Sequence, residues 1–153
     1  MSSLTTTDNR IGSMTPHEIS RVQLLESKSL ERTQAKIETQ HVLHGGMYAR
    51  TIVIPAGVMI TGALIKRATI LIVDGDVMVH VGSQTTHIKG YKVVAASGNR
   101  KQGFYANGDT FLTMVFPTAA DDIHSAEEEF TNEASLLMSR NTDAVNYVTV
   151  TGE

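Results

Sequence analysis

From Met47 to Phe116 the chain runs through short segments in which apolar residues recur at every second position: YARTIVIP, ILIV, VMVHV, YKVV, GFYA and TFLTMVF. β-Branched and aromatic residues dominate these runs, and a period of two sends alternate side chains to opposite faces of a sheet. Asp74-Gly75 and Asn107-Gly108 lie between neighbouring runs. Both dipeptides supply the positive φ that tight hairpins require, so they predict turns between ILIV and VMVHV and between GFYA and TFLTMVF. Many short strands with turn residues between them restrict the chain to a sandwich or a small barrel. The 153 residues suffice for one such domain with extensions.

The flanks follow other rules. Residues 1–14 read as an extended or mobile arm. Thr15-Pro16-His17-Glu18 has the order of a helix start: Thr15 caps, Pro16 suits the first helical position, and Glu18 reaches back as in a capping box. Ile19, Val22 and Leu25 follow at helical spacing, and this helix is expected to fade near Lys28. The polar stretch that follows makes 15–43 a helix and connector, and 44–117 the barrel. After Pro117, Ser125-Ala126-Glu127-Glu128 reads as a second capping box. Ala126, Phe130, Ala134, Leu137 and Met138 then recur near 3.6 spacing, which predicts a helix with one apolar stripe. Glu127, Glu128 and Glu129 read as a solvated first turn. Residues 142–150, TDAVNYVTV, form a separate β-prone piece, so 118–153 is a C-terminal helix and arm. The expected fold is all-β, a jelly-roll barrel with flanking N- and C-terminal α-helices.

Composition excludes some functions. A net charge of −3 argues against a general nucleic-acid or membrane-surface binder. With no cysteine there is no disulfide framework and no thiolate metal site. No run approaches the length of a membrane-spanning helix. The first residues lack an apolar core, so no secretory signal is expected. No G-x-S-x-G, P-loop or dinucleotide fingerprint occurs. GGMYARTIVIPAG is glycine-containing, but no helix follows to present its N-terminus to a phosphate.

Several short motifs together carry a family resemblance. They are Gly46-Met47-Tyr48-Ala49-Arg50, Pro55-Ala56-Gly57, Gly62, Asp74-Gly75-Asp76-Val77, Ser97-Gly98-Asn99-Arg100-Lys101, and Ala106 to Thr113. In this order and spacing the block from His44 to Pro117 resembles a cupin, a small double-stranded β-helix barrel, and is most similar to cupin-fold proteins of tailed bacteriophages. Cupins that do metal chemistry place a His-x-His pair and a glutamate before a glycine that would here be Gly75. Between Pro55 and Val73 this chain has no His, Glu, Asp or Cys; the ligand positions fall on residues such as Thr61, Ala63, Ile65, Ala68 or Thr69. The second cupin motif reads here as Gly90, Ala96, Gly98, Lys101 and Tyr105, with lysine where the family has a histidine. A lysine ammonium has no free lone pair and repels a divalent ion. The resemblance with its ligands replaced therefore implies a protein with no metal, no cofactor and no enzymatic activity.

What the resemblance implies for role is a virion component assembled in the host cytoplasm, a capsid decoration (cement) protein or a tail accessory, with other virion proteins as partners. The alternative is a small-ligand or anion-binding cupin acting in the infected cell. For that alternative Arg50, Lys66, Arg67, Arg100, Lys101 and Tyr105 are the candidate pocket residues, since basic groups turned into a barrel mouth hold anions; otherwise they are rim charges. With no tryptophan, a sugar-stacking platform is not expected. His41 and His44 form an HxxH pair that reads as a loop pair rather than a metal site. His80 shares a face with Met78, His87 falls in a polar turn, and His17 and His124 stand at helix starts; each reads as a surface residue. A homo-oligomer, most simply a dimer, is expected. Phe130, Leu137 and Met138 are candidate interface residues on the helix stripe. Val145, Tyr147, Val148 and Val150 suit strand addition to another chain.

Overall fold

The computed structural model describes residues 2–7 and 9–153. Its elements are β1 (Arg10–Ile11), α1 (Pro16–Ser29), β2 (Thr39–His44), β3 (Met47–Ile54), β4 (Met59–Thr61), β5 (Thr69–His80), β6 (Thr85–Ala96), β7 (Gly103–Ala106), β8 (Thr110–Pro117), α2 (Ile123–Phe130) and β9 (Asn146–Val150). Two short 3-10 turns, Ala134–Leu136 and Met138–Arg140, lie between α2 and β9.

The strands follow the order β1-β6-β5-β8-β3-β2-β9, and a small arm of β7 and β4 branches from β5. The branch forms because β5 changes partner along its length. Ile70 to Asp74 pair with β8, and Val77 to His80 pair with β7. The inner residues of both parts meet in one core: Ile54, Leu71, Val73, Val77, Val79, Phe104 and Leu112 are all buried together. The chain is thus mostly β in a jelly-roll arrangement with two helices, but the sheet is not closed into a barrel.

Neither glycine dipeptide makes the expected hairpin. Asp74-Gly75 lies inside β5, which runs unbroken from Thr69 to His80. Gly75 stands where the partner changes, and a β-carbon there would meet Thr110 Oγ1 at 2.5 Å and the Asp109 carbonyl at 2.7 Å. The glycine is required by close approach of another strand rather than by a turn. Asn107-Gly108 does connect β7 to β8, but these strands do not pair with each other, and neither residue has positive φ. The turn carries the chain from the Val77–His80 part of β5 to its Ile70–Asp74 part.

The helix start at Thr15 forms as its sequence dictates. The Glu18 amide donates to Thr15 Oγ1, and the Thr15 amide donates to Glu18 Oε1. Ile19 and Val22 are buried, and Met14 joins them to fasten the helix to the sheet. The arm before it is held in part: β1 pairs in parallel with β6, and Ser13 Oγ donates to the Gly98 carbonyl. Met1 and Asp8 of the expected arm lie outside the described residues.

The C-terminal part departs further from expectation. The cap of α2 is Asp122, whose carboxylate accepts from the Ser125 amide; Ser125 is not the cap. The helix stops at Phe130, and Thr131 is already extended. The apolar stripe therefore continues through 3-10 turns, and it is covered within the chain. Phe130 and Leu137 pack with Leu43, Tyr48 and Phe116, so neither is an interface residue. The β-prone tail is no free arm either: β9 pairs in parallel with β2, register His41 to Val148.

Candidate functional site

A cavity of about 310 Å³ lies between the inner sheet face, the end of α1 and the segment after α2. Aliphatic side chains such as Ile52, Ile60, Leu71 and Leu112 line much of it, as do Arg50, Arg100, Lys101 and Gln102. Leu30 and Leu136, both largely exposed, mark its mouth. Its size falls in the range of small-molecule sites, about 300–1,000 Å³.

Of the pocket residues expected from sequence, the structure brings three to the wall and sends three elsewhere. Arg50, Arg100 and Lys101 line the cavity. Lys66 is exposed, and its Nζ donates to Asn132 Oδ1 at 2.8 Å. Arg67 lies over the Phe116 ring at 4.5 Å and pairs with Glu129. Tyr105 stands on the outer face of β7, 45% exposed. The alternation of GFYA decides this, since Phe104 and Ala106 take the inner face.

The basic pair is not a rim pair. Arg100 and Lys101 are 2% and 1% exposed. Lys101 Nζ donates to the Gly62 carbonyl at 2.9 Å and lies 3.0 Å from Glu26 and 3.6 Å from Glu133. One lysine thus ties α1 and the segment after α2 to the loop following β4. Arg100 has no such carboxylate among the described residues. Its Nη1 donates to the carbonyls of Ser97, Arg67 and Ala96, and its Nη2 to Thr69 Oγ1 and the Met114 sulfur. Burial alone pulls this guanidinium down to about 10.

Beside the cavity runs a polar network that the sequence did not announce. His41 is a buried β2 residue, not part of a loop, and His44 points to the opposite face, so the two cannot share a metal. His41 Nε2 lies 2.6 Å from Asn146 Oδ1, and Nδ1 lies 2.6 Å from the Tyr48 hydroxyl. Asn146 Nδ2 donates to the Ser139 carbonyl, which orients its oxygen toward the histidine. Nε2 therefore carries the proton, Nδ1 accepts from Tyr48, and the tyrosine oxygen accepts from Arg50 Nη1 at 3.2 Å. Burial depresses the His41 pKa, opposed by the Asn146 contact, and burial raises that of Tyr48.

Arg50 continues the chain to Glu127. This residue lies in the first turns of α2 but is 1% exposed, contrary to the solvated turn expected. Its Oε2 accepts from Arg50 at 2.6 Å and from Ser139 at 2.7 Å, and its Oε1 from Arg140 at 3.0 Å. Burial works to raise the Glu127 pKa, but the Ser139 hydroxyl and the two arginines outweigh it and hold the carboxylate charged. Glu128 remains exposed. No group of three or more His, Cys, Asp or Glu side chains converges among the described residues. His87 lies in β6, not in a turn, and meets Asp76.

No protein-family model matches the chain, and a search of curated proteins finds no relative. Solved structures of cupin type do overlap it in part. A cupin-2 domain protein from Shewanella frigidimarina covers 60% of this chain with 90% of its own, at 6% identity and a TM-score of 0.44. KdgF from a Halomonas species covers 60% with 88% of its own, at 17% identity and a TM-score of 0.46. Ectoine synthase from P. lautus covers 56% with 67% of its own, at 18% identity and a TM-score of 0.45. Likeness at this level carries no argument about activity.

Proposed function

We propose that the chain is a cupin-type β domain that binds a small, largely apolar organic molecule in its inner cavity without a metal. The observation that carries this reading is the cavity itself: about 310 Å³, aliphatic-walled, with buried polar groups converging on it. Binding rather than turnover is the reading because the acid–base groups nearby are engaged with one another. Lys101 is held by Glu26 and Glu133, and Glu127 by Arg50 and Arg140. A thermal-shift screen of apolar acids, amides and alcohols tests it: a ligand that binds only the folded state raises Tm with concentration. Native mass spectrometry of the purified protein checks for a retained molecule. If no class binds at millimolar concentration, the reading fails.

A second reading, a virion or other assembly protein that self-associates, draws on a separate observation. Val42, Ile70, Tyr91, Val93 and Phe111 share the outer face of adjacent strands, each more than a third exposed. A surface of this kind marks contacts between proteins, and a second copy related by a two-fold axis fits it where Ile70 and Val93 meet, with Asp74 to one side between Tyr91 and Phe111. Sedimentation velocity decides: a dimer lost on Ile70→Lys and Val93→Lys supports it, and a monomer at tens of micromolar removes it.

A further inference from the structure

We infer that the cavity is built for a small organic monocarboxylate, with its carboxylate against Arg100 and Gln102 and its apolar body among the aliphatic walls. This rests on the binding reading above and adds the chemical class. Three cations reach the cavity wall, and their partners tell them apart. Arg50 is neutralised by Glu127, and Lys101 by Glu26 and Glu133. The five hydrogen bonds of Arg100 all end on neutral acceptors. A buried cation without a counter-ion is costly, and proteins keep one where a ligand or a partner supplies the missing charge.

Two further atoms point the same way. Arg100 Nε and Gln102 Nε2 are buried donors with no partner among the described residues. The side chains they belong to are 2% and 5% exposed, and both line the cavity. Unpaired buried donors are rare in folded proteins. Here two occur two residues apart, on Arg100 and Gln102, both of which line one cavity. Nε lies on the edge of the planar guanidinium that it shares with Nη2, an edge suited to the two oxygens of a carboxylate. Nη2 has the Thr69 hydroxyl at 2.8 Å and the soft Met114 sulfur at 3.9 Å. The sulfur is a weak acceptor that an anionic oxygen replaces with gain.

Charge selects the class further. One unpaired cation balances one negative charge. A phosphate monoester brings nearly two at neutral pH and needs more donors than the two that are free. The aliphatic part of the wall, with Ile52, Ile60 and Leu112, offers nothing to a polar body, and the other lining charges are paired with one another. An apolar monocarboxylic acid satisfies both halves of the cavity.

The test is calorimetry and thermal shift on the full chain, with straight-chain monocarboxylates of increasing length, the primary amide of each, and inorganic phosphate. The expected result is that the acids bind and that affinity rises with chain length until the cavity is filled. The amides should bind at least about tenfold more weakly, a loss of about 1.4 kcal/mol. Gln102→Leu, which removes one free donor and leaves the charge network intact, should weaken the acids by a similar factor and leave the amides unchanged. Arg100→Lys keeps the charge but loses the planar edge, and should weaken the acids further; if it does not fold, Gln102→Leu decides alone. Amides that bind as tightly as acids overturn the carboxylate assignment while the cavity reading stands. Tight binding of phosphate alone overturns it in favour of another anion. Binding by neither acids nor neutral compounds overturns both readings.

Discussion

Replacing Glu127 with alanine should be among the most damaging single changes in this chain. The carboxylate is buried, and it accepts from Arg50, Arg140 and Ser139 at 2.6, 3.0 and 2.7 Å. Removing it leaves two arginines, 11% and 18% exposed at the side chain, facing each other's charge without the group that joins them. Breaking a buried pair by deleting one member costs about 3–5 kcal/mol, mostly because the surviving charge is stranded. With an unfolding entropy of about 2.1 cal/mol/K per residue, the 153-residue chain loses roughly 9–16 °C in Tm. Glutamine keeps the shape and one acceptor, so Glu127→Gln should fall between alanine and wild type. The assay is urea denaturation followed by circular dichroism, backed by calorimetry. A double-mutant cycle of Glu127→Gln with Arg140→Gln should show a coupling of about 1 kcal/mol or more. A salt titration adds a check: the effect should persist at high ionic strength, unlike that of the exposed Lys36–Asp143 pair. A loss below about 1 kcal/mol for alanine would show that desolvation cancels the network and would refute the reasoning.

Other changes test other parts of the structure. His41 is held neutral in the folded state, so its contribution is complete above pH 6.5 and is lost as pH falls below that value. Glu127, with its pKa also lowered, adds a second loss as pH falls below 4.5. A Tm profile should therefore decline on the acid side, and the first part of that decline should vanish in His41→Gln. Gly75→Ala should destabilise by about 1–3 kcal/mol, because the added methyl meets backbone at the partner change in β5; an unchanged Cm in urea would contradict the close approach. Deleting residues 142–153 removes β9 and Asn146, so it should lower Tm rather than only weaken assembly. Asn146→Ala alone should reproduce about 1–3 kcal/mol of that loss.

Local signals in the sequence gave local structure reliably and tertiary structure unevenly. The capping box at Thr15 and Glu18 is completed within four residues, so it can be read from the sequence. The Asp74-Gly75 dipeptide misleads because the same pair serves a hairpin or a crowded strand. Its neighbours hold the distinguishing sign: Leu71, Val73, Val77 and Val79 keep the same parity across Gly75, which a two-residue turn would have reset. The strand at Thr39–His44 also carries a readable alternation, with Thr39, His41 and Leu43 buried. It was obscured because two of its three inward residues are polar, and His41 finds its partner Asn146 far along the chain. Glu127 is hard to single out for the same reason: three consecutive glutamates look alike until Arg50 on β3 selects one. Arg100 and Lys101 stand out as candidates by their charge, whereas Gln102 does not, since an uncharged amide gives no sign of burial.

The parallel pairing of β9 with β2 also fixes an order of events during synthesis. The register joins His41 to Val148, so the whole intervening chain must emerge before the contact can close. Contacts of such sequence separation carry the largest loop-closure cost and form late. Strands β5 and β6, joined by a short turn, have no such delay. The segment carrying Leu136, Leu137 and Met138 arrives with the tail, and it completes the cavity wall. The inner space is therefore open on one side until the segment after α2 has been made and has docked. Pulse-labelling hydrogen exchange during refolding should find the amides of β9 protected after those of β5 and β6. A molecule that fills this space is enclosed only once Leu136, Leu137 and Met138 are in place.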